Sequence, residues 1–278
     1  MTGDGTKENP LRPETWDEFV EAVGTSAAYV ECPERAVWDM NEINPDGLKS
    51  NIIWRAFSVE GNGTEIKNLY FNGGYIGFGA AVADDYPYVR KLNFTNFFTS
   101  ASSERCFSME HSGPFVIKRC NFSGVVSSGI CFYAWMTTNA IYIGHDGDKG
   151  CSINIEFTGS GAFTHRNSYQ VRFEHARIIF SGESTYGYDA YNYDKVVYRN
   201  CIIQGKSPFK TFRGKSESSI FDIVIPEEHT FNVSSQSSIV NVDKISGEIP
   251  TSDKTLQVTT AQMGDAAYLQ SIGFNILT

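Results

Sequence analysis

An eight-residue alternating motif recurs along the chain and predicts its strands. The three clearest copies start at Ile66, Val89 and Ile117, and weaker copies start at Ser152, His175 and Tyr198. In each copy the fourth and sixth positions are apolar and the eighth is Gly or Asn. Because successive side chains point to opposite faces of a strand, the two apolar positions share one face. Each copy therefore predicts a strand that has one inward face and ends in a turn.

The alternation also predicts which side chains form the core. We expect these pairs to point inward: Leu69 with Phe71, Leu92 with Phe94, Cys120 with Phe122, Ile155 with Phe157, Ile178 with Phe180, and Cys201 with Ile203. Two later apolar runs, at 220–225 and 239–242, continue the series at a similar pace.

The spacing of the motif predicts the fold. Its eighth positions lie at 73, 96, 124, 159, 182 and 205, so the intervals are 23, 28, 35, 23 and 23 residues. This period fits one coil of a parallel β-solenoid, in which short strands stack at about 4.8 Å to build a continuous core. A β-sandwich is the alternative, but it does not require the same motif at the same corner. The longer intervals predict excursions from the coil at 97–116 and 125–151, where functional loops are expected.

Both ends of the chain carry a predicted helical cover, which a solenoid needs over its unpaired strand edges. Thr15 to Glu18 resembles a capping box before a helix that ends at Gly24. A second capping pattern at 259–262 opens a helix that contains Gly264 and ends near Gly273. The predicted fold class is thus all-β, a parallel β-helix with short terminal capping helices. Its predicted parts are a capping segment at 1–27, the β-helix at 28–250 and a second capping segment at 251–278.

Charge and hydropathy exclude two classes of partner. The chain of 278 residues has a formal net charge of -9, which opposes the clustered Lys and Arg that nucleic-acid binding needs. Its longest apolar run is 130–136, far short of the roughly 20 residues that cross a bilayer. The first ten residues contain no apolar core, so we expect no signal peptide. These features predict a protein made in the cytoplasm, without nucleic acid or a membrane span as partner.

The six cysteines include no C-x-x-C pair and no Cys/His cluster at zinc spacing. We therefore expect reduced, buried thiols and no bound metal. Four Asn-x-Ser/Thr sequences are interpreted as turns, because glycosylation requires secretion. They start at Asn62, Asn93, Asn121 and Asn232.

The two ends of the chain carry a family likeness. The segments Gly5–Pro10, Ala28–Glu31 and Gly61–Leu69 resemble the entry segment of pectate-lyase-like β-helix proteins of bacteriophage virions and of bacterial surface proteins of the GLUG type. The stretch from Val258 to Phe274 is similar to their closing segment. The likeness covers about a quarter of the chain. It implies a right-handed, single-stranded parallel β-helix that serves as a spike, fibre, decoration or adhesion module, often as a homotrimer in phage, and it implies no single activity.

The most distinctive local sequence is the segment 185–194, which holds four tyrosines and two aspartates. Aromatic faces stack on sugar rings and carboxylates accept hydrogen bonds from sugar hydroxyls, so this segment is a candidate ligand site. Packing of the tyrosines on the solenoid surface or between subunits explains the same pattern equally well. The candidate binding residues are Tyr186, Tyr188, Asp189, Tyr191, Tyr193 and Asp194. The aromatic run 132–136 is interpreted as a surface buried against a neighbouring chain.

Acids and histidines give no catalytic assignment. Two carboxylates about 5 to 9.5 Å apart can hydrolyse a glycosidic bond, so paired acids were candidates. Their sequence contexts match no recognisable polygalacturonase or pectate lyase motif, and the histidines have no metal-site spacing. The candidate residues of these two kinds are Asp84, Asp85, Asp146, Asp148, Glu174, Asp189 and Asp194, with His145, His165 and His175. We therefore predict no catalytic residue, metal or cofactor.

Together these expectations describe a non-enzymatic structural protein of a phage particle that serves host attachment. Its predicted partners are other virion proteins and a host surface glycan, and a homotrimer is a candidate assembly. The absence of a predicted signal peptide favours a virion protein assembled in the host cytoplasm over an exported one. Two alternatives stay open: a tailspike that degrades polysaccharide as a glycoside hydrolase or lyase, and a bacterial cell-surface adhesin.

Overall fold

The protein is a parallel β-helix whose short strands stack into three sheets. The computed structural model describes residues 1–79, 88–109, 115–134, 141–143, 150–166, 171–186, 190–191, 196–236, 238–246 and 255–274. Within these residues every pairing between strands is parallel. The predicted fold class, an all-β parallel β-helix, is confirmed.

The sheets contain eleven, nine and six strands in the described residues. The eleven-stranded sheet consists of β2 (Val37–Asp39), β5 (Glu65–Lys67), β9 (Asn93–Thr99), β12 (Asn121–Val126), β15 (Ser152–Phe157), β18 (Arg177–Gly182), β21 (Ile202–Lys206), β23 (Ile220–Val224), β25 (Ser238–Asn241) and β26 (Thr255–Val258), with β6 (Tyr70–Phe71) paired to β9. The nine-stranded sheet consists of β1 (Tyr29–Glu31), β4 (Ser58–Glu60), β8 (Tyr88–Arg90), β11 (Phe115–Lys118), β14 (Ile141–Ile143), β17 (Val171–Glu174), β20 (Val196–Arg199), β22 (Thr211–Glu217) and β24 (Thr230–Gln236). The six-stranded sheet consists of β3 (Ile52–Trp54), β7 (Ile76–Phe78), β10 (Arg105–Met109), β13 (Ile130–Ala134), β16 (Ala162–Arg166) and β19 (Ala190–Tyr191).

Each regular coil visits the nine-, eleven- and six-stranded sheets in turn. The ten strands that follow one another across the eleven-stranded sheet span about 43 Å at a spacing of about 4.8 Å. After β21 the chain passes directly to β22, so the described coils beyond that point have two sheets. The six-stranded sheet is therefore confined to the first two thirds of the rod.

The inward faces form one continuous core rich in phenylalanine. All twelve side chains predicted to point inward are at most 1% exposed, which confirms the alternation as a guide to the core. Equivalent rings stack from coil to coil: Phe94 lies 5.4 Å from Phe122, and Phe212 lies 6.0 Å from Phe231, between ring centroids. Like residues on adjacent coils thus stabilise one another, as a solenoid requires.

The corner between the nine- and eleven-stranded sheets has a repeated backbone conformation. In the five coils where only two residues join the two strands, the first of them has a φ between 50° and 52°: Lys91, Arg119, His175, Asn200 and Ser218. The next residue is small or apolar and fully buried, for example Cys120, Cys201 and Ser219. The tight corner sets the register between the two sheets.

Two details of the predicted coil are wrong. Gly124 does not end its strand, because β12 continues to Val126 and a Cβ atom at Gly124 would lie only 2.2 Å from the Phe97 carbonyl oxygen. Gly124 therefore allows two adjacent coils to approach closely, and it does not form a turn. Residues 97–116 and 125–151 do not leave the coil throughout, since they contain β10, β13 and β14. Residues 110–114, 135–140 and 144–149 of these predicted excursions lie outside the described residues.

The N-terminal cover forms as predicted. Helix α1 (Trp16–Gly24) begins at the N-cap Thr15, whose side chain accepts a hydrogen bond from the Glu18 amide. Its buried face brings Trp16 and Phe19 against the first coils, with Phe19 5.3 Å from Trp54 between ring centroids. A short helix, α2 (Met40–Ile43), follows β2.

The C-terminal cover differs from the single helix that we expected. It consists of α3 (Thr260–Met263) and α4 (Ala266–Ser271), after a 3-10 turn at Val242–Lys244. Gly264 ends α3, and Asp265 caps α4 by accepting a hydrogen bond from the Tyr268 amide. The break arises because Asp265 stabilises a new helix start. Leu269 of α4 packs with Val258 and Ile239 in a small separate cluster.

Candidate functional site

The outer face of the six-stranded sheet carries a stack of an arginine between two tyrosines. Tyr75 precedes β7, Arg105 begins β10 and Tyr133 lies in β13, so the three residues belong to adjacent coils. The Arg105 guanidinium carbon lies 4.2 Å from the Tyr75 ring centroid and 4.7 Å from that of Tyr133. All three side chains are partly exposed. We call these three residues the tyrosine–arginine stack.

The strands below the stack fix its position. Ser108 of β10 is in register with Gly77 of β7 and Tyr133 of β13. Its side chain is buried, and its hydroxyl oxygen accepts a hydrogen bond from Arg105 Nη1 at 3.4 Å. Each cation–π contact contributes about 0.5 to 1 kcal/mol at an exposed site. The guanidinium therefore holds both rings in a defined orientation on the surface.

The same register reaches the tyrosine-rich segment that the sequence singled out. Tyr133 pairs with His165 of β16, and His165 pairs with Tyr191 of β19. Tyr191 thus lies in line with Tyr133, two coils away, at the end of the six-stranded sheet. The structure brings one predicted binding residue into register with Tyr133 of the stack.

The other predicted binding residues are only partly described. Tyr186 follows β18 and is partly buried, and its amide donates a hydrogen bond to the Ser184 hydroxyl oxygen at 3.0 Å. That hydroxyl in turn donates to the Gly161 carbonyl oxygen at 2.6 Å. The remaining four, Tyr188, Asp189, Tyr193 and Asp194, lie outside the described residues.

The aromatic run 132–136 has a different role from the one expected. Phe132 and Ala134 are buried in the core of the chain itself, because they belong to the inward face of β13. Only Tyr133 between them faces outward, onto Arg105. Trp135 and Met136 lie outside the described residues.

Among the candidate acids and histidines, Glu174 forms ion pairs and His175 forms a corner of the coil. Glu174 is 2% exposed and lies 3.8 Å from Arg172 and 3.9 Å from Arg199, between carboxylate oxygen and guanidinium nitrogen. His175 occupies a left-handed corner. In the part of the chain that the structure describes, no three His, Cys, Asp or Glu residues lie close enough to hold a metal ion. Asp84, Asp85, Asp146, Asp148 and His145 lie outside the described residues.

All six cysteines are buried and unpaired, as predicted. Burial raises the pKa of the Cys201 thiol to about 12, and burial also raises the pKa values of Cys32, Cys120 and Cys131. Two pairs lie on neighbouring coils, Cys106 with Cys131 and Cys120 with Cys151. All six thiols thus belong to the core of the coil.

The comparisons with known proteins add no assignment. Protein-family models, curated proteins and solved structures were all compared with this chain, and none matched. No helix in the described part of the chain has the length and apolar character of a membrane span.

Proposed function

We propose that the protein is a non-enzymatic attachment protein of a bacteriophage particle, and that it binds a host surface glycan through the outer face of the six-stranded sheet. The observation that carries the binding role is the tyrosine–arginine stack, a rigid aromatic and cationic surface on a regular scaffold. The proposed place in a phage particle is supported by the resemblance of the entry and closing segments to those of virion β-helix proteins.

The stack has the chemistry of a sugar-binding surface. Tyrosine rings offer apolar faces and polar hydroxyl groups, and an arginine offers five N–H donors in one plane. Tyr75 and Tyr133 lie two coils apart with Arg105 on the coil between them, so an extended ligand that crosses the coils meets one of these three side chains about every 4.8 Å. The register leads from Tyr133 through His165 to Tyr191, so the tyrosine-rich segment extends the same proposed surface.

Binding to host cells and to purified host surface glycans tests the proposal. We expect Tyr75→Ala and Tyr133→Ala to weaken glycan binding by about three- to ten-fold each, the equivalent of one lost stacking contact. Tyr70→Ala is the matched control, because Tyr70 stacks on Phe98 at 4.6 Å on a different sheet. Equal binding by the wild type and both stack variants, or no binding at all, contradicts the proposal.

Three further measurements separate the alternatives. Detection of the protein in purified particles supports the virion assignment, and its absence from them overturns it. Release of reducing ends or unsaturated sugars from a glycan panel overturns the non-enzymatic part. An oligomer in solution that Tyr133→Ala converts to monomers would show that the stack is a subunit interface and would overturn the glycan site.

A further inference from the structure

The two ends of the chain are attached to the coils in different ways. The buried side chains of α1, among them Phe19 and Val23, belong to the continuous core. We call residues 255–274, which contain β26, α3 and α4, the C-terminal strap. Within this strap only Val258 and Leu269 are buried, and they form with Ile239 the small cluster apart from that core. Four further side chains pack against the cluster and stay partly exposed: Met263, Tyr268, Ile272 and Phe274.

The small cluster lies on the outer face of the eleven-stranded sheet. Phe221 and Val240 are in register on neighbouring coils and belong to the continuous core. Because successive side chains of a strand point to opposite faces, the preceding residues, Ile220 and Ile239, point outward. Ile202 is in register with Ile220 and continues this outward row. Ile202 is partly exposed, Ile220 is 7% exposed and Ile239 is fully buried, so burial increases along the row towards the strap.

The inward positions of β26 carry polar side chains. Gln257 is in register with the inward Val240, and Thr255 is in register with Ser238. Gln257 is exposed and Thr255 is partly exposed, so neither residue extends the apolar core. Separation of β26 from β25 therefore removes no buried apolar side chain from the core of the coils.

Polar contacts join Thr260 of the strap to β25 and to the turn after it. The Thr260 amide donates to Asp243 Oδ2 at 2.7 Å, and Asn241 Nδ2 donates to Thr260 Oγ1 at 3.2 Å. The same Asn241 nitrogen also donates to Asp222 Oδ1 at 2.8 Å, and Asp243 is exposed to water. Departure of Thr260 thus leaves Asn241 with a carboxylate acceptor and Asp243 with solvent, so it avoids the penalty of a buried polar group without a partner.

We propose that the C-terminal strap opens as one unit while the coils up to β25 remain folded. Segments that bury few apolar side chains open locally at a lower free energy than the core does, and the strap has this property. Opening leaves β25 without its partner on one side and uncovers Ile239, so it produces an apolar surface beside an unpaired strand edge. The inference is independent of the proposed attachment function, because the strap shares no residue with the tyrosine–arginine stack.

Hydrogen–deuterium exchange of the full chain, followed by mass spectrometry of its peptides, tests this proposal. We expect the hydrogen-bonded amides of β26 and α4 to exchange at least about 100-fold faster than those of β15 and β18 in the middle of the rod. Leu269→Ala removes most of the buried side chain that joins α4 to the cluster. It should speed exchange in β26 and in α4 by the same factor, about ten-fold or more, and leave β15 and β18 within about two-fold.

Leu256→Ala is the matched control, because Leu256 lies in the same strap but is 39% exposed. It should change exchange by less than about three-fold. The proposal is overturned if the wild-type strap exchanges as slowly as β15 and β18, or if Leu269→Ala speeds exchange in α4 but not in β26. It is also overturned if Leu269→Ala unfolds the coils together with the strap, or if Leu256→Ala has the same effect as Leu269→Ala.

Discussion

Small hydrogen-bonding side chains complete the corner between the nine- and eleven-stranded sheets. The Cys201 thiol donates to the Phe173 carbonyl oxygen at 3.1 Å, and one coil later the Ser219 hydroxyl donates to the Tyr198 carbonyl oxygen at 3.1 Å. The Ser219 oxygen also accepts a hydrogen bond from the Cys201 amide at 3.0 Å. Cysteine and serine thus donate equivalent hydrogen bonds at equivalent positions, and the bond from the Cys201 amide to Ser219 connects one corner to the next.

The first prediction concerns Ser219. Ser219→Ala leaves the buried Cys201 amide without its acceptor, so we expect a loss of about 1 to 3 kcal/mol in the free energy of unfolding. Ser219→Cys introduces the residue that the preceding corner uses, and it should lose clearly less. Urea unfolding followed by circular dichroism measures both. Equal losses in the two variants would show that the hydroxyl acts only by filling volume.

The second prediction concerns alkaline pH. Because burial raises the pKa of Cys201 from the usual 9.0 to about 12, its neutral thiol contributes stability that is fully present below pH 9 and is lost as pH rises towards about 12. The melting temperature should therefore fall over this range. Cys201→Ser removes the ionisable group and should reduce the slope. A slope identical to that of the wild type would mean that other groups control the alkaline transition.

At the scale of the strands, the glycines at the eighth position of the motif are important, because they determine where a strand turns. Gly205 has a φ of 89° and Gly73 a φ of 93°, a backbone region that L-residues adopt only with strain. The space around the two differs. A Cβ atom at Gly205 would lie 2.1 Å from the Phe180 carbonyl oxygen of the preceding coil, whereas no atom lies within 4 Å of that position at Gly73.

The third prediction uses these two glycines as a matched pair. Gly73→Ala should lower the free energy of unfolding only by the cost of its backbone conformation, about 1 to 2 kcal/mol. Gly205→Ala has the same conformational cost, and its Cβ must also push two coils apart. We therefore expect a larger loss in the free energy of unfolding and partly unfolded protein. Thermal and urea unfolding compare the two variants. Equal losses would show that the coils separate easily at this point.

The sheets differ in how well the sequence predicts them, and the reason is whether buried and exposed residues alternate along their strands. The eleven-stranded sheet has several strands of five to seven residues, in which alternation is visible, as in β15 and β18. The six-stranded sheet was missed because burial along its strands does not alternate: Cys106 and Phe107 of β10 are adjacent and both fully buried. Its absence from the predicted coil made β10 and β13 look like excursions.

The tyrosine–arginine stack was missed for a related reason. Tyr75, Arg105 and Tyr133 lie 30 and 28 residues apart, outside the eight-residue motif, and only the exact length of each coil brings them together. One signal in the sequence could have indicated such a stack. It is a tyrosine, an arginine and a second tyrosine, each about one coil length after the one before.

At the scale of the whole molecule, stability is a sum over neighbouring coils. Most contacts between strands join successive coils, so each coil depends on the one before and the one after it. The two covers end this series, with Phe19 of α1 at one end and Leu269 of α4 at the other, both buried. A protein built in this way should tolerate loss of one complete coil but not loss of a fraction of a coil.

The fourth prediction tests this by deletion of residues 176–200, which joins His175 to Cys201. His175 and Asn200 occupy equivalent corners with φ values of 52° and 50°, so the junction keeps the corner conformation. It also keeps the inward row, because Ile178 is in register with Ile203. We expect a folded protein with a lower melting temperature, measured by circular dichroism. Deletion of 176–187 alone is the control, since it breaks the register and should give unfolded or aggregated protein.

The deletion of 176–200 also removes one part of the proposed glycan-binding surface and keeps the other. It removes the tyrosine-rich segment with Tyr191, but it leaves the tyrosine–arginine stack on earlier coils. If the stack carries most of the glycan binding, the folded deletion variant should keep binding that Tyr133→Ala then weakens. If the variant folds but loses all glycan binding, the tyrosine-rich segment and not the stack is the main contact. Glycan binding by the folded deletion variant thus shows which of the two segments is the main contact, without relying on single substitutions. The coils that carry the stack are the same in this variant as in the wild type.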